Sequence, residues 1–355
     1  MKRLLIGLLV ALSGMARAST FVYVSNAEDG TIGVYRLDER LGRLTPKGAV
    51  EAGAKVMPLA PSPDLRSLYA AIRSEPFRVV AFSIGADGTL IRTGVTPLPD
   101  NMAYLATDRT GRWLLAASYY GDKVSVSPVG GEAAQILATG RNAHCILPDP
   151  TNRFVFATNL GADQILQYRF DPNSGSLTAN DPPLVKTDAG QGPRHMVFSP
   201  EGRFLYVLTE LTGEVLQFAV DPAAGTLRQV AAVSSIPPAS APSKIWAADL
   251  KITPDGRFLY ASERTSSRIA LLSLDQRTGT PRLTSVTPTE LQPRGVAITP
   301  SGRFLVASGE KSNRIALYRI DAKDGHLTLA GRIRGGKGAN WVEIISRPRP
   351  LPRSG

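Results

Sequence analysis

One short phrase recurs along the chain and limits the folds that the chain can adopt. Three clear copies read SPEGRF (199–204), TPDGRF (253–258) and TPSGRF (299–304), and three looser copies lie further upstream, beginning at Ser62, Asp108 and Asp149. The copies follow one another at roughly 40–55 residues, a period typical of a propeller blade or another repeat unit. Because they extend over most of the chain, they favour one closed domain rather than two unrelated ones.

Each repeat contains four runs of strand length separated by turn residues. In the clearest unit these runs are 195–199, 204–208, 215–220 and 227–233, with Gly, Pro and Asp between them. Short apolar or alternating runs with this punctuation are typical of an antiparallel meander. No segment has a convincing helical period. The sequence therefore predicts an all-β fold, a β-propeller with four antiparallel strands in each blade.

Six units are complete, and a seventh is divided between the two ends of the chain. Residues 20–25, 31–37 and 44–51 supply three of its strands, and 341–345 supplies the innermost one. Pairing the two ends in one blade closes the ring and leaves no open sheet edge. We therefore expect a seven-bladed propeller over residues 19–346.

The residues outside this domain indicate export and a loose tail. Lys2 and Arg3 precede an apolar run at 4–12, and Ala16-Arg17-Ala18 has the pattern of a cleavage site. We expect residues 1–18 to be a signal peptide, cleaved near Ala18, and the mature chain to be periplasmic or secreted, with no membrane span. Residues 347–355 are rich in Pro and Arg, and we expect them to be disordered.

Charge and cysteine content exclude several classes of function. The net charge is +11, but no basic stripe with interleaved aromatic residues is present, which argues against nucleic acid as a partner. The single cysteine, Cys145, excludes an internal disulfide and a cysteine metal site. It precedes an apolar stretch, and we expect it to be buried. We expect a monomer that needs no cofactor or metal.

The two faces of the predicted ring differ in what they carry. Because neighbouring strands are antiparallel, the start of each innermost strand and the end of each second strand share one face, which we call the mouth. The other face carries the recurring turns, whose residues backbone geometry explains. The candidate site residues at the mouth are His144, Arg194, Glu210 and Arg264, with Arg73, Tyr119, His195, Trp246, Gln292, Arg294 and Lys311 around them.

These residue types allow either hydrolysis or binding at the mouth. His144 or Glu210 can act as a general base on water. Arginines can stabilise an oxyanion and hold a carboxylate or phosphate through two hydrogen bonds. The same set suits attack of water on an anionic ester and plain binding of an anion. A simple ion pair between Arg194 and Glu210, and a purely structural His144 in the core, remain open as alternatives.

Four segments of the chain resemble a known family. GPRHMVF (192–198), WAADL (246–250), ITPDGR (252–257) and QPRG (292–295) are similar to the seven-bladed propeller lactonases, which include 6-phosphogluconolactonases and the fungal carboxy-cis,cis-muconate cyclase. The resemblance covers essentially the whole of 20–345. It implies a lactone hydrolase whose catalytic residues are His144, Arg194, Glu210 and Arg264.

Two other functions compete with this prediction. A non-catalytic propeller could bind an anionic ligand or a partner protein through the same mouth. A metal-dependent gluconolactonase is disfavoured, because the mouth lacks an evident set of Asp, Asn and Glu for calcium. The predicted export also departs from the cytoplasmic 6-phosphogluconolactonases, so the identity of the lactone stays open. We expect a small sugar-derived or carboxylated lactone, with an anionic one preferred, and an unphosphorylated aldonolactone is an alternative.

Overall fold

The computed structural model describes residues 19–347, in which 28 strands form seven four-stranded antiparallel sheets. The innermost strands of successive sheets contact one another around a ring. This is the seven-bladed β-propeller that the repeat predicts. The predicted signal peptide and residues 348–355 of the predicted tail lie outside the described residues. None of the helices in 19–347 has the length and apolar character needed to cross a bilayer.

The strands of each blade are given from the centre of the ring outwards. Blade 1 contains β28 (Ala339–Arg347), β1 (Ser19–Asn26), β2 (Thr31–Asp38) and β3 (Arg43–Glu51). Blades 2 and 3 contain β4 (Val56–Pro61), β5 (Ser67–Ile72), β6 (Arg78–Ile84), β7 (Leu90–Pro97), β8 (Met102–Thr107), β9 (Trp113–Ser118), β10 (Lys123–Pro128) and β11 (Gln135–Ala138). Blades 4 and 5 contain β12 (Ala143–Pro148), β13 (Phe154–Asn159), β14 (Gln164–Asp171), β15 (Ser176–Lys186), β16 (Pro193–Phe198), β17 (Phe204–Thr209), β18 (Glu214–Asp221) and β19 (Thr226–Ser234).

The last two blades follow the same order. They contain β20 (Ala247–Ile252), β21 (Phe258–Glu263), β22 (Arg268–Leu274), β23 (Pro281–Pro288), β24 (Pro293–Ile298), β25 (Phe304–Gly309), β26 (Arg314–Ile320) and β27 (Leu327–Arg334). Two short 3-10 helices, Leu160–Ala162 and Pro238–Ser240, lie in connections between strands.

Blade 1 closes the ring with both ends of the described chain. Strand β28 is antiparallel to β1, with Phe21 opposite Ile345 and Ser19 opposite Arg347. The strand extends two residues beyond the predicted run 341–345 at each end and includes Arg347, the first residue of the predicted disordered tail. Arg347 is its last residue, and the Nη1 atom of Arg347 donates a hydrogen bond of 2.6 Å to the carbonyl of Ile84 in blade 2. The two ends of the described chain are therefore paired within blade 1, and Arg347 also links blade 1 to blade 2.

The recurring phrase in blade 4 joins this blade to blade 5. Arg153, in the phrase of blade 4, lies over the ring of Phe154 and donates to the carbonyl of Pro222 in blade 5 at 2.6 Å. Gly225, in the same turn as Pro222, has a φ of 68° and approaches the Phe154 ring so closely that a Cβ there would lie 2.0 Å from it. The repeated residues therefore have a structural role on the face opposite the mouth.

The core follows the second strands of the blades. Strand β13 is buried along its whole length, because each second strand has sheet neighbours on both sides and other blades above and below. Cys145 is buried and free, and burial raises the pKa of its thiol to about 12. The expectation of a small buried residue at this position is confirmed.

Candidate active site

Each innermost strand carries an irregularity at its mouth end. In β12, Ala143 and Cys145 pair with the successive residues Asn159 and Thr158, which leaves His144 without a partner. The corresponding shift occurs in the other six innermost strands. An extra residue of this kind bends a strand and turns side chains away from the regular alternation. The mouth is therefore built from bulges in a regular scaffold.

Three of these bulges carry further polar residues of the site. Arg194 and His195 lie between the paired residues of β16, Asp249 lies in the bulge of β20, and Arg294 lies in that of β24. In each case the residues are at the start of an innermost strand, beside the central axis. The bulges therefore explain why these polar side chains converge although the strands themselves are apolar.

Glu210 follows β17 and is held between two arginines of neighbouring blades. Its Oε2 atom lies 2.7 Å from Nε of Arg194 and 2.9 Å from Nη2 of Arg264. The arginines are 1% and 2% exposed. Burial of Glu210 opposes its ionisation, but the charges of Arg194 and then Arg264 outweigh burial and lower the pKa of the carboxyl. Glu210 is thus an ionised carboxylate at neutral pH.

The two arginines are held in place by backbone carbonyls and one aromatic face. Arg194 donates to the carbonyl of Ala248. Arg264 donates to the carbonyls of Trp246 and Ala247, both at 3.1 Å, and its guanidinium lies 3.7 Å from the centre of a Trp246 ring. A stacked cation of this kind is stabilised by the ring. Trp246 therefore supports Arg264 from the side.

Two further arginines give the mouth an excess of positive charge. Burial first, and then Arg194, lower the pKa of Arg294 to about 10, and Glu310 opposes this shift. Arg73 donates to Asn101 and to the sulfur of Met57, and Arg194 is close enough to lower its pKa further after burial. Within residues 19–347, the guanidinium of Arg294 makes no hydrogen bond or ion pair. It is therefore available to an anion.

The histidines lie beside this cluster. His144 is buried. Its ring centre lies 5.8 Å from that of Tyr119 and 5.3 Å from that of His195. Burial, followed by the charge of Arg194, keeps the pKa of His144 well below its usual value. His195 lies with Nδ1 2.8 Å from Oδ1 of Asp249. His144 is therefore a neutral imidazole at neutral pH.

The structure brings most of the predicted site residues together, but not all. His144, Arg194, Glu210 and Arg264 share one cluster with Arg73, Tyr119, His195, Trp246 and Arg294. Lys311 instead lies exposed and pairs with Glu28 at 3.3 Å. Gln292 lies in a bend with a φ of 54°, where its backbone N–H donates to Oγ of Ser267 and its carbonyl accepts from the N–H of Glu310. Neither residue contacts the cluster.

Sequence reasoning did not include three residues beside the site among its candidates. Asp249 forms a hydrogen bond with His195, and Lys251 forms an ion pair with Asp249. The ring of Tyr104 packs edge-on against the ring of His195. The WAADL segment was a usable signal for Asp249, because it places an acid at the start of an innermost strand. Among the described residues, no group of three or more His, Cys, Asp or Glu side chains could hold a metal ion.

Known proteins are similar to this chain over most of its length. The family model described as "Lactonase, 7-bladed beta-propeller" matches residues 20–344. A 6-phosphogluconolactonase of Pectobacterium carotovorum is 38% identical over 330 residues, which covers 92% of this chain and 98% of that protein. The 6-phosphogluconolactonase of Serratia proteamaculans is 39% identical over 331 residues, with 92% and 99% covered. The solved structure of a periplasmic gluconolactonase of Pseudomonas aeruginosa is similar with a TM-score of 0.85 and 25% identity, over 93% of this chain and 99% of that one.

Proposed function

Because the chain belongs to the seven-bladed β-propeller lactonase family, it is a lactone hydrolase, and we propose that hydrolysis takes place at the mouth of the ring. The observation that carries this proposal is the clamp of Glu210 between the buried Arg194 and Arg264, in the same cluster as the neutral His144. Buried, fixed charges are the usual means of stabilising the charge that develops during acyl transfer.

His144 is the better candidate for the general base. One oxygen of Glu210 already accepts from both arginines, and the pKa of Glu210 is lowered, which makes it a weak base. The Nδ1 atom of His144 is buried, whereas Nε2 reaches the surface. A neutral imidazole with one accessible nitrogen can accept a proton from water.

The reaction follows from these roles. The water oxygen attacks the lactone carbonyl carbon while His144 Nε2 takes the proton. N–H groups of Arg194 and Arg264 that do not bind Glu210 stabilise the negative charge on the carbonyl oxygen. The ring C–O bond then breaks, and the leaving oxygen takes the proton from His144. The product is the open hydroxy acid, and the site returns to its starting state.

We further propose that the substrate is anionic. Arg73, Arg194, Arg264 and Arg294 lie around the clamp, and Glu210 and Glu310 are the carboxylates that act on them. The excess of guanidinium groups suits a carboxylate or phosphate on the lactone, which arginine binds through paired hydrogen bonds.

A panel of lactones tests this function. Purified protein is assayed with 6-phosphogluconolactone, a carboxylated lactone and neutral gluconolactone, each with and without a chelator. We expect faster opening than in buffer for at least one anionic lactone, unaffected by chelator. If folded protein binds a lactone but opens none, the mouth is a binding site. If chelator abolishes activity, the reaction depends on a metal and the proposed mechanism is wrong.

We also propose that the chain is exported and acts as a monomer. The basic residues, apolar run and Ala16-Arg17-Ala18 pattern support cleavage near Ala18 and a periplasmic or secreted location. One chain supplies all seven blades, which supports a monomer. Mass spectrometry of protein from the periplasm and the medium should find Ser19 or a near neighbour first, and light scattering should give the mass of one chain. Recovery of intact Met1 protein from cytoplasm alone would contradict export.

A further inference from the structure

Two buried ring nitrogens beside the site have no hydrogen-bond partner. They are Nδ1 of His144 and Nε2 of His195, whose rings are 5.3 Å apart between centres with an angle of 62° between their planes. Buried polar atoms without partners are rare in folded proteins and call for an explanation. We propose that Asp249 and His195 are positioning residues that fix the proton of His144 on Nδ1 and so leave its Nε2 free to accept a proton.

The groups that face the carboxylate of Asp249 are all hydrogen-bond donors or cations. Its Oδ1 accepts from the backbone N–H of Leu250 at 2.9 Å, and its Oδ2 accepts from that of Val296 at 3.0 Å. The Nζ atom of Lys251 lies 3.3 Å from Oδ1. These contacts fix the carboxylate in its ionised form, which can only accept hydrogen bonds.

The carboxylate then decides which nitrogen of His195 carries the proton. His195 Nδ1 lies 2.8 Å from Oδ1 of Asp249, so it must be the donor, and Nε2 must be the acceptor. Burial first, and then Arg194, lower the pKa of His195 to about 3, although Asp249 opposes the shift. His195 is therefore neutral, with a lone pair on a buried and unused nitrogen.

His144 supplies the complementary atom. Two imidazoles joined by an N–H···N hydrogen bond of normal length have centres about 5.2 Å apart, close to the 5.3 Å between these rings. In the proposed arrangement the Nδ1–H of His144 donates to Nε2 of His195, the unpaired nitrogen of the neighbouring ring. The proton of His144 is then on Nδ1, and the accessible Nε2 carries the lone pair that the reaction needs. When His144 takes the proton of water, its ring becomes positively charged. The negative charge of Asp249, which acts through the hydrogen bond to His195, stabilises this positive charge.

The role of His144 Nε2 as the base rests on the proposed function. The position of the protons on the rings of His144 and His195 does not. Both are measured on the same protein. The chain has three histidines, and the third, His326, is exposed and serves as a reference. Long-range ¹⁵N–¹H NMR of the folded protein at neutral pH reads the protonated nitrogen of each ring. We expect His144 and His195 to carry their protons on Nδ1.

Asp249→Asn tests the coupling. The amide carries no charge and can turn either its N–H or its oxygen towards Nδ1 of His195, so the proton of His195 is no longer fixed on Nδ1, and the proton of His144 should then be shared between Nδ1 and Nε2. We expect kcat to fall by roughly 10²-fold or more, with little change in KM, as expected for loss of a correctly held base. The matched control is Asp255→Asn, on an exposed turn of the same blade, which should leave spectra and kcat unchanged.

The outcomes separate the two proposals. A wild-type His144 protonated on Nε2, or a folded Asp249→Asn protein with unchanged tautomers and kcat, overturns the positioning role while lactone hydrolysis stands. The expected tautomers in a protein that opens no lactone leave the positioning role intact and overturn the proposed function. If Asp249→Asn does not fold, His195→Gln is measured instead, and an unchanged tautomer of His144 with an unchanged kcat overturns the inference.

Discussion

At the scale of single residues, the site is an ionised carboxylate enclosed by cations. Glu210 contacts Arg194 and Arg264 within 2.9 Å, and the charges of these arginines exceed the cost of burying the carboxyl. Arg264 in turn depends on Glu210, because burial and Arg194 lower its pKa to about 8. The cluster is therefore interdependent, and loss of one member leaves a buried charge without its partner.

Arg294 gives a prediction specific to the charge of the substrate. Its guanidinium is unpaired within the described residues, so Arg294→Gln removes no internal contact. We expect KM for an anionic lactone to rise by roughly tenfold or more, because a hydrogen bond between charged groups is lost. KM for neutral gluconolactone should change little. Steady-state kinetics with both substrates checks this, and an equal rise for both would show that Arg294 does not bind the anion.

Much of the residue-level site could be predicted from the sequence, because strand polarity assigns side chains to a face. His144, Arg194, Glu210 and Arg264 lie together for this reason. The pairing of His195 with Asp249 could not be predicted, since strand polarity assigns a side chain to a face of the ring but not to a partner on that face. Lys311 shows the opposite limit: it has the right position along its blade, yet it pairs with Glu28 at the exposed surface.

At the scale of strands and turns, the two ends of each blade have different roles. Turns at one end join the blades, and bulges at the other end aim side chains at the axis. The sequence predicted the strands well, because Gly, Pro and Asp mark most of the turns. The bulges were not predictable in this way, since one extra residue leaves the pattern of apolar residues almost unchanged. The bulges lie at the mouth ends of the innermost strands, and the residues there differ from blade to blade although the rest of the repeat is regular.

The turn joints give a prediction for stability. Gly225→Ala places a Cβ 2.0 Å from the Phe154 ring at a φ of 68°, so both packing and backbone are strained. We expect a loss of about 1–3 kcal/mol in the free energy of unfolding, measured by denaturant titration. Gly331→Ala is the control, because nothing lies within 4 Å of a Cβ there. Equal stability of the two variants would contradict the role assigned to the joint.

At the scale of the whole molecule, the ring depends on residues about 320 positions apart in sequence. Strand β28 supplies the inner position of blade 1, and its partner β1 comes from the other end of the domain. The sequence predicted this closure, because three strands at one end and one at the other complete a seventh unit. An open ring would expose unpaired strand edges, which favour association.

Removal of β28 tests the closure. A chain that ends at Gly338 lacks the strand, so blade 1 loses its inner partner and blade 7 its neighbour. We expect this chain to aggregate or to unfold at a clearly lower temperature than one that ends at Arg347, which retains all 28 strands. Circular dichroism with thermal melting checks this. Coincident melting curves would show that the pairing of the two ends does not stabilise the ring.

The central claim is that the clamp at the mouth carries out lactone hydrolysis, and the most direct test is kcat/KM for the best lactone of the panel in three variants. Glu210→Gln removes the charge that holds both arginines, and Arg194→Lys keeps a charge but loses the planar fork. We expect each to lower kcat/KM by roughly 10²–10⁴-fold. Arg66→Lys, on an exposed turn of the opposite face, should match the wild type. Folded Glu210→Gln and Arg194→Lys proteins with wild-type kcat/KM would contradict the account.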